Sequence, residues 1–211
     1  MDVSNKTLGL LLIAAMLISL FGTFFSLNQV ERFAGPPTGA ATSNQTGNVT
    51  LTVTTSVGCT FGSFNLVDFG SGYVAGGQRC YMTSNGTTGS GCSGGLSSPS
   101  QDFILENNGN VNATVYVNSN ATAAQFLSGS TSPQFQIAGL DNESGSCGNL
   151  TNTAFVDVNT SKPGTVYCGS TSFQYSPETA DSMKFVVLVN FSQEIDAGAH
   201  QATIEAVCDD T

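Results

Sequence analysis

The residues of this chain that could do chemistry are six cysteines, one histidine and a scatter of acidic and amide side chains. Cys59, Cys80, Cys92, Cys147, Cys168 and Cys208 are even in number, and none belongs to a Cys-x-x-Cys pair. With one histidine to join them, a zinc site is a poor reading, and three disulfides made in an oxidising space is the better one. Nucleophilic catalysis would have to recruit that histidine, His200, with Ser192 and Asp196 nearby. His200 lies on the inward phase at the start of an alternating run, where a histidine is ordinarily packed or hydrogen-bonded. No Walker-type phosphate loop and no zinc motif is present, so the chain is not expected to be an enzyme. Asp141-Asn142-Glu143 and Asp209-Asp210 offer oxygen ligands of the kind that bind calcium in extracellular sandwiches, against the alternative of a solvated acidic loop and tail. No other cofactor is expected, and with no Trp the domain lacks the best residue for stacking on sugars.

Charge narrows the partners. Lys and Arg number 5 against 15 Asp and Glu, for a net charge of -10. Nucleic acid and anionic lipid headgroups bind through cations that neutralise phosphate, so both are poor partners. Asn-x-Ser/Thr sequons stand at Asn44, Asn48, Asn85, Asn112, Asn120, Asn142, Asn149, Asn159 and Asn190. In an exported domain they point to a glycan coat, which would solvate a surface carrying only 9% charged residues.

Three segments must position these residues. Residues 1–30 hold a short tail and the run Leu8 to Leu27, with no charge between Lys6 and Glu31. At 1.5 Å per residue, about twenty such residues span a hydrocarbon core of about 30 Å as a helix. Apolar residues cover every face of it, which disfavours a soluble core helix, and Phe24 and Phe25 suit a membrane interface. A cleaved signal peptide would have a shorter apolar region and an Ala-x-Ala-like site, which residues 28–34 do not offer. The cysteines and sequons place the N-terminus inside and the C-terminal domain outside, a single-pass protein of the cell surface. Residues 31–47 carry Pro, Gly and Thr and read as a linker.

Residues 48–211 read as strands. Val49, Leu51, Val53 and Val57 alternate with polar residues and predict a first strand with one buried face. Ser63 to Phe69 predicts a second, and Gly76 to Ser100 an irregular loop stapled by Cys80 and Cys92. Phe103 and Leu105 face Val111 and Ala113 across a predicted hairpin, with Asn107 to Gly109 as its loop and Gly109 left-handed. Further strands are predicted at 134–138, 154–158, 171–175, 183–191 and 199–208. The run 183–191 is almost wholly apolar, hence central and covered on both sides. The fold class is all-β, an immunoglobulin-like or jelly-roll sandwich preceded by one hydrophobic helix. Six cysteines allow fifteen connectivities. Cys59 and Cys208 end the inward phases of the first and last strands, and meet if those strands run side by side in parallel. Cys80 with Cys92 and Cys147 with Cys168 complete the working assignment, one of three pairings open to those four.

Residues 67–77, 103–115 and 197–204, as Val-Asp-Phe-Gly-Ser-Gly-Tyr, Phe-Ile-Leu-Glu-Asn-Asn-Gly-Asn-Val and Ala-Gly-Ala-His-Gln-Ala-Thr-Ile, resemble a known series. It is that of exported immunoglobulin-like surface proteins of archaea and of the TasA/camelysin-like filament subunits. The resemblance implies a structural surface protein or fibre subunit that joins its neighbour by donating an N-terminal strand, here the one bearing Val49, Leu51, Val53 and Val57. The apolar helix also resembles that of type IV pilin-like subunits, which are cut after a basic-Gly pair; here Lys6 is followed by Thr7 and Leu8. The expected function is a membrane-anchored coat or filament subunit that partners itself, with an adhesin or receptor-binding module, including a viral envelope protein, as the alternative.

Overall fold

The computed structural model of the chain describes residues 5–33, 50–63 and 65–211. Most of the linker, the sequons at Asn44 and Asn48, and Val49 lie outside the described residues. The chain divides into two units, Met1–Thr52 and Val53–Thr211.

The first unit contains helix α1, Asn5–Phe33, which takes in the first three residues of the expected linker. Its large apolar side chains between Leu10 and Phe25 are exposed. Among the described residues no helix is long and apolar enough to cross a membrane. The expected membrane span, Leu8 to Leu27, rests on sequence alone.

The second unit is built of antiparallel strands, with one short helix, α2, at Ala123–Phe126. The strands are β1 (Cys59–Phe61), β2 (Tyr73–Val74), β3 (Arg79–Thr83), β4 (Cys92–Ser93), β5 (Phe103–Asn107), β6 (Ala113–Ser119), β7 (Gln134–Asp141), β8 (Val156–Asp157), β9 (Thr165–Phe173), β10 (Ser182–Ser192) and β11 (Ile204–Asp209). One sheet runs β1-β5-β10-β7-β8, with β3 also on β10; a second runs β11-β6-β9; β2 and β4 form a small third. Phe135, Ile137, Phe185, Val187 and Val189 of the first sheet and Val115, Val117, Tyr167 and Phe173 of the second share one buried core. A sandwich of this kind is what apolar alternation on two sheets produces.

β10 is the central strand its apolar run predicts. Met183 to Asn190 pair with β7 on one side, while on the other Ser182 to Phe185 pair with β5 and Leu188 to Ser192 with β3. Ser84 fills the gap between β3 and β5: its N donates to Val187 O at 2.8 Å and its hydroxyl accepts from Val187 N at 2.9 Å.

Several expectations are corrected. Residues 50–58 form no strand, being paired in no ladder among the described residues. The described residues of 63–69 form none either; Val67 and Phe69 turn inward from a coil. The loop 76–100 holds a true strand, β3, whose Gly- and Ser-rich surroundings concealed its inward Cys80 and Met82. Residues 103–119 are no hairpin, since β5 and β6 lie in different sheets. Asn107 makes the corner between them: its Nδ2 donates to Val111 O and Phe173 O, both at 3.1 Å, and its Oδ1 accepts from Gly109 N at 3.0 Å. Gly109 is not left-handed; a Cβ there would lie 2.4 Å from Ser56 O, so close approach of backbone is what requires glycine. Among the later strands, β9 begins six residues before its predicted start at Thr171, because Ser170 and Thr171 adopt positive φ and interrupt its period. β11 begins at Ile204, which leaves His200 in the coil before it.

Candidate functional site

The disulfides are Cys59–Cys208, Cys80–Cys92 and Cys147–Cys168. The first joins β1 of one sheet to β11 of the other, so it crosses the sandwich and does not link parallel neighbours within a sheet.

Immediately before Cys59 lies the segment with the strand pattern. Leu51 is 84% and Val53 73% exposed, and Val57 is half-buried. The segment is tied down at its C-terminal end by the corner after β5. Asn110 N donates to Ser56 O at 2.9 Å, Asn110 Oδ1 accepts from Ser56 N at 2.7 Å, and Asn110 Nδ2 donates to Thr54 O at 2.9 Å. Asn108 N and Gly109 N both donate to Gly58 O, at 3.0 and 3.1 Å. The expected hairpin loop, Asn107 to Gly109, left Asn110 with no role and gave no sign of this clasp. A third sidechain-rich residue between Glu106 and Val111 was the available signal, since a tight turn has no use for Asn110.

A groove of about 630 Å³ opens beside β10, between Val189, Phe191, the coil at Phe69 and Tyr73, and the turn at Ile195. A second of about 440 Å³ adjoins it and shares Val67, Phe69, Phe126 and His200. Both ring nitrogens of His200 lie 2.8 Å from backbone carbonyls, Nδ1 from Phe126 O and Nε2 from Asp196 O. The ring pins the end of α2 to the 196–200 turn and has no nitrogen left for a nucleophile. Ser192 is occupied as well: its hydroxyl accepts from Thr131 N at 2.9 Å and lies 3.3 Å from Ser130 Oγ. The triad of Ser192, His200 and Asp196 is therefore not assembled.

One motif escaped the sequence reading. Gly91-Cys92-Ser93-Gly94-Gly95 has the spacing of a nucleophile elbow. Ser93 sits in the two-residue β4 and is followed by a turn, and its neighbour Cys92 is bonded to Cys80, so the strand-to-helix context that such an elbow needs is not the one found.

The acidic residues brace loops. Asp141 Oδ1 accepts from Ser146 Oγ at 2.8 Å and Cys147 N at 3.0 Å, and its Oδ2 accepts from Gly145 N at 3.2 Å. Asn142 donates to Ser182 Oγ at 2.9 Å, and Glu143 accepts from Asp181 N at 3.1 Å. Asp209 accepts from Thr211 N at 3.2 Å. Among the described residues no three His, Cys, Asp or Glu side chains are grouped to hold a metal ion. Burial first, then the charge of Glu143 beside it, raises the Asp181 carboxyl above the usual range. Burial pushes the Tyr167 phenol up too, and its hydroxyl donates to Ile137 O at 3.3 Å. A hydrogen bond from Lys162 lowers exposed Glu205, at 2.9 Å.

Of the sequons, Asn85, Asn120, Asn142, Asn149 and Asn159 are exposed, and Asn112 and Asn190 are half-buried. Comparison of the chain with protein-family models, with curated proteins and with solved structures finds no match.

Proposed function

We propose that this chain is a structural protein of the cell surface, a subunit of a coat or extracellular filament built on an immunoglobulin-like or jelly-roll sandwich. The observation that carries the reading is the segment before Cys59: strand-patterned, with Leu51 and Val53 more than two-thirds exposed, and in no ladder among the described residues. Such a segment gains a partner by adding to a sheet edge of a second copy. Three disulfides support the reading, since they suit a body that must hold its shape in an oxidising exterior. The uncharged run Leu8 to Leu27 is the proposed membrane anchor, with the second unit outside. If the run is instead the core of a pilin-like filament, the same helix serves assembly directly.

The groove beside Tyr73 and Phe191, lined by apolar and polar side chains alike, favours a second reading, an adhesin or receptor-binding module. Electron microscopy of the native cell surface and of the purified chain separates the two, beside mass spectrometry of the N-terminus. Filaments or a lattice containing this chain are expected, with an intact N-terminus. Replacing Leu51→Ser and Val53→Ser together should leave a folded but dispersed protein. Dispersed wild-type monomers that bind a defined ligand would establish the recognition module instead.

A further inference from the structure

The sequence cannot rank its sequons, but the hydrogen bonds of the folded domain can. N-glycosylation joins sugar C1 to the asparagine Nδ2, so an acceptor must present that nitrogen, with the following Ser or Thr within reach of the transferase. Backbone N–H groups only donate, so an asparagine side chain bonded to one must offer its oxygen and turn its nitrogen away. Asn120 is held in this way by Thr203 N at 2.8 Å, and Asn159 by Ser161 N at 2.8 Å. Asn85 is held by the Thr83 hydroxyl on its Oδ1 at 2.6 Å. In all three the asparagine and the residue two further on, Thr122, Ser161 and Thr87, are exposed, the Thr122 hydroxyl while accepting from Gln125 N at 3.3 Å; the exposed Asn142 and Asn149 differ in spending Nδ2 on Ser182 Oγ at 2.9 Å and Ser170 Oγ at 3.3 Å.

Asn190 is the opposite case. Its Oδ1 accepts from Arg79 Nε at 3.0 Å and its Nδ2 donates to Gln134 Oε1 at 2.7 Å, while Ser192 is 5% exposed within the central strand. Asn112 precedes β6, and although its Oδ1 accepts from Tyr175 N at 3.4 Å, its Thr114 is 4% exposed within the strand, with a hydroxyl that accepts from Thr171 N at 2.9 Å.

We propose that Asn85, Asn120 and Asn159 are the glycan acceptors of the folded second unit, and that the fold closes Asn112 and Asn190. The donor is an oligosaccharide on a polyprenyl phosphate or pyrophosphate. The C1–Nδ2 bond forms as the C1–O bond to phosphate breaks, the lipid leaves with its phosphate, and the nitrogen gives up one proton. At Asn120 and Asn159 the oxygen keeps its backbone bond after transfer, whereas at Asn190 a glycan would displace Gln134.

This rests on the reading that the second unit lies outside the membrane, and the two can fail separately. Protease accessibility of the second unit on intact cells tests its location. For the acceptors, the full chain in detergent, oxidised and folded, is incubated with a single-subunit oligosaccharyltransferase and lipid-linked oligosaccharide, then mapped by peptide mass spectrometry. The reduced and alkylated chain is treated alongside. The folded chain is expected to be modified at Asn85, Asn120 and Asn159. Occupancy at Asn190 and Asn112 should be more than about a hundredfold lower, since paired strands open only when most of the domain does. Reduction should open both. Equal occupancy of Asn190 and Asn159 in the folded chain overturns the proposal, as does a folded chain bare at all three acceptors. A unit that proteases reach on cells yet carries no glycan overturns it while leaving the location intact.

Discussion

β10 and the segment 50–58 carry the same kind of pattern and meet opposite fates. In β10, Phe185, Val187 and Val189 alternate along one face, and the strand is paired on both sides. In the segment, Leu51 and Val53 alternate just as well and are left in the open. Alternation therefore reports that a stretch is competent to pair; whether it does depends on a free edge within reach. The β10 edges are supplied by β7, β5 and β3 of the same chain, whereas the segment is held at its end by Asn110 and then by Cys59 before it reaches one.

The largest effect that tests this contrast comes from cutting the tie at Cys59. The Cys59–Cys208 bond spans 149 residues of sequence and Cys80–Cys92 only 12. Loop-closure entropy assigns about 5 kcal/mol to the first and about 3 kcal/mol to the second, with strain and residual unfolded structure lowering both in practice. Replacing Cys59 and Cys208 by Ala should lower the chemical denaturation midpoint more than replacing Cys80 and Cys92. An equal loss would mean that β1 and β11 are held by packing alone.

Next comes the comparison itself, made with one substitution in each region. Phe185→Ala should cost about 3–5 kcal/mol, because the ring is fully buried and stacks edge-on against Tyr167 at 5.4 Å. Val53→Ala should stay within about 0.5 kcal/mol in the dispersed protein. Urea unfolding of both variants decides it. A large loss from Val53→Ala would show that the segment packs on its own chain and is not waiting for another.

How much of this was legible follows the same division. The length and centrality of β10 were plain from its apolar run, since a strand buried on both faces needs no particular neighbour to be recognised. β3 was hidden because Arg79, Tyr81 and Thr83 alternate with Cys80 and Met82 inside a Gly-rich stretch, so its inward face is only two residues. The hairpin at 103–119 failed for a different reason. Apolar faces that match across a turn also match across a sandwich, and period alone cannot say which; the buried amide of Asn107, bonded to Phe173 O, decides for the sandwich. Of the candidate site, the cysteines could be read as three disulfides, because their even count carries no metal spacing, whereas which sequons are exposed depends on the fold and could not be read. The groove could not, since it is lined by coil at 67–74 and 195–200 that has no period to read.

The smallest expected effect lies where β10 begins, and it sharpens the contrast by asking what a well-paired strand tolerates. Asp181 precedes β10; its carbonyl accepts from Asn107 N at 2.9 Å and its N–H donates to Glu143 at 3.1 Å. Its carboxyl is raised by burial and then by Glu143, with Glu178 and Glu106 adding to the repulsion. An acid raised on folding stabilises the protein below its unfolded pKa, and that contribution is lost as pH rises through the folded value. Wild type should therefore lose a little stability as pH climbs above the ordinary carboxylate range, and Asp181→Asn should not. Solvent screening keeps the difference below about 0.5 kcal/mol for a group only partly buried. Thermal unfolding of both proteins from acid to neutral pH measures it. Superimposable profiles would show that the four acids are too well hydrated to feel one another, and that pairing alone fixes the start of β10.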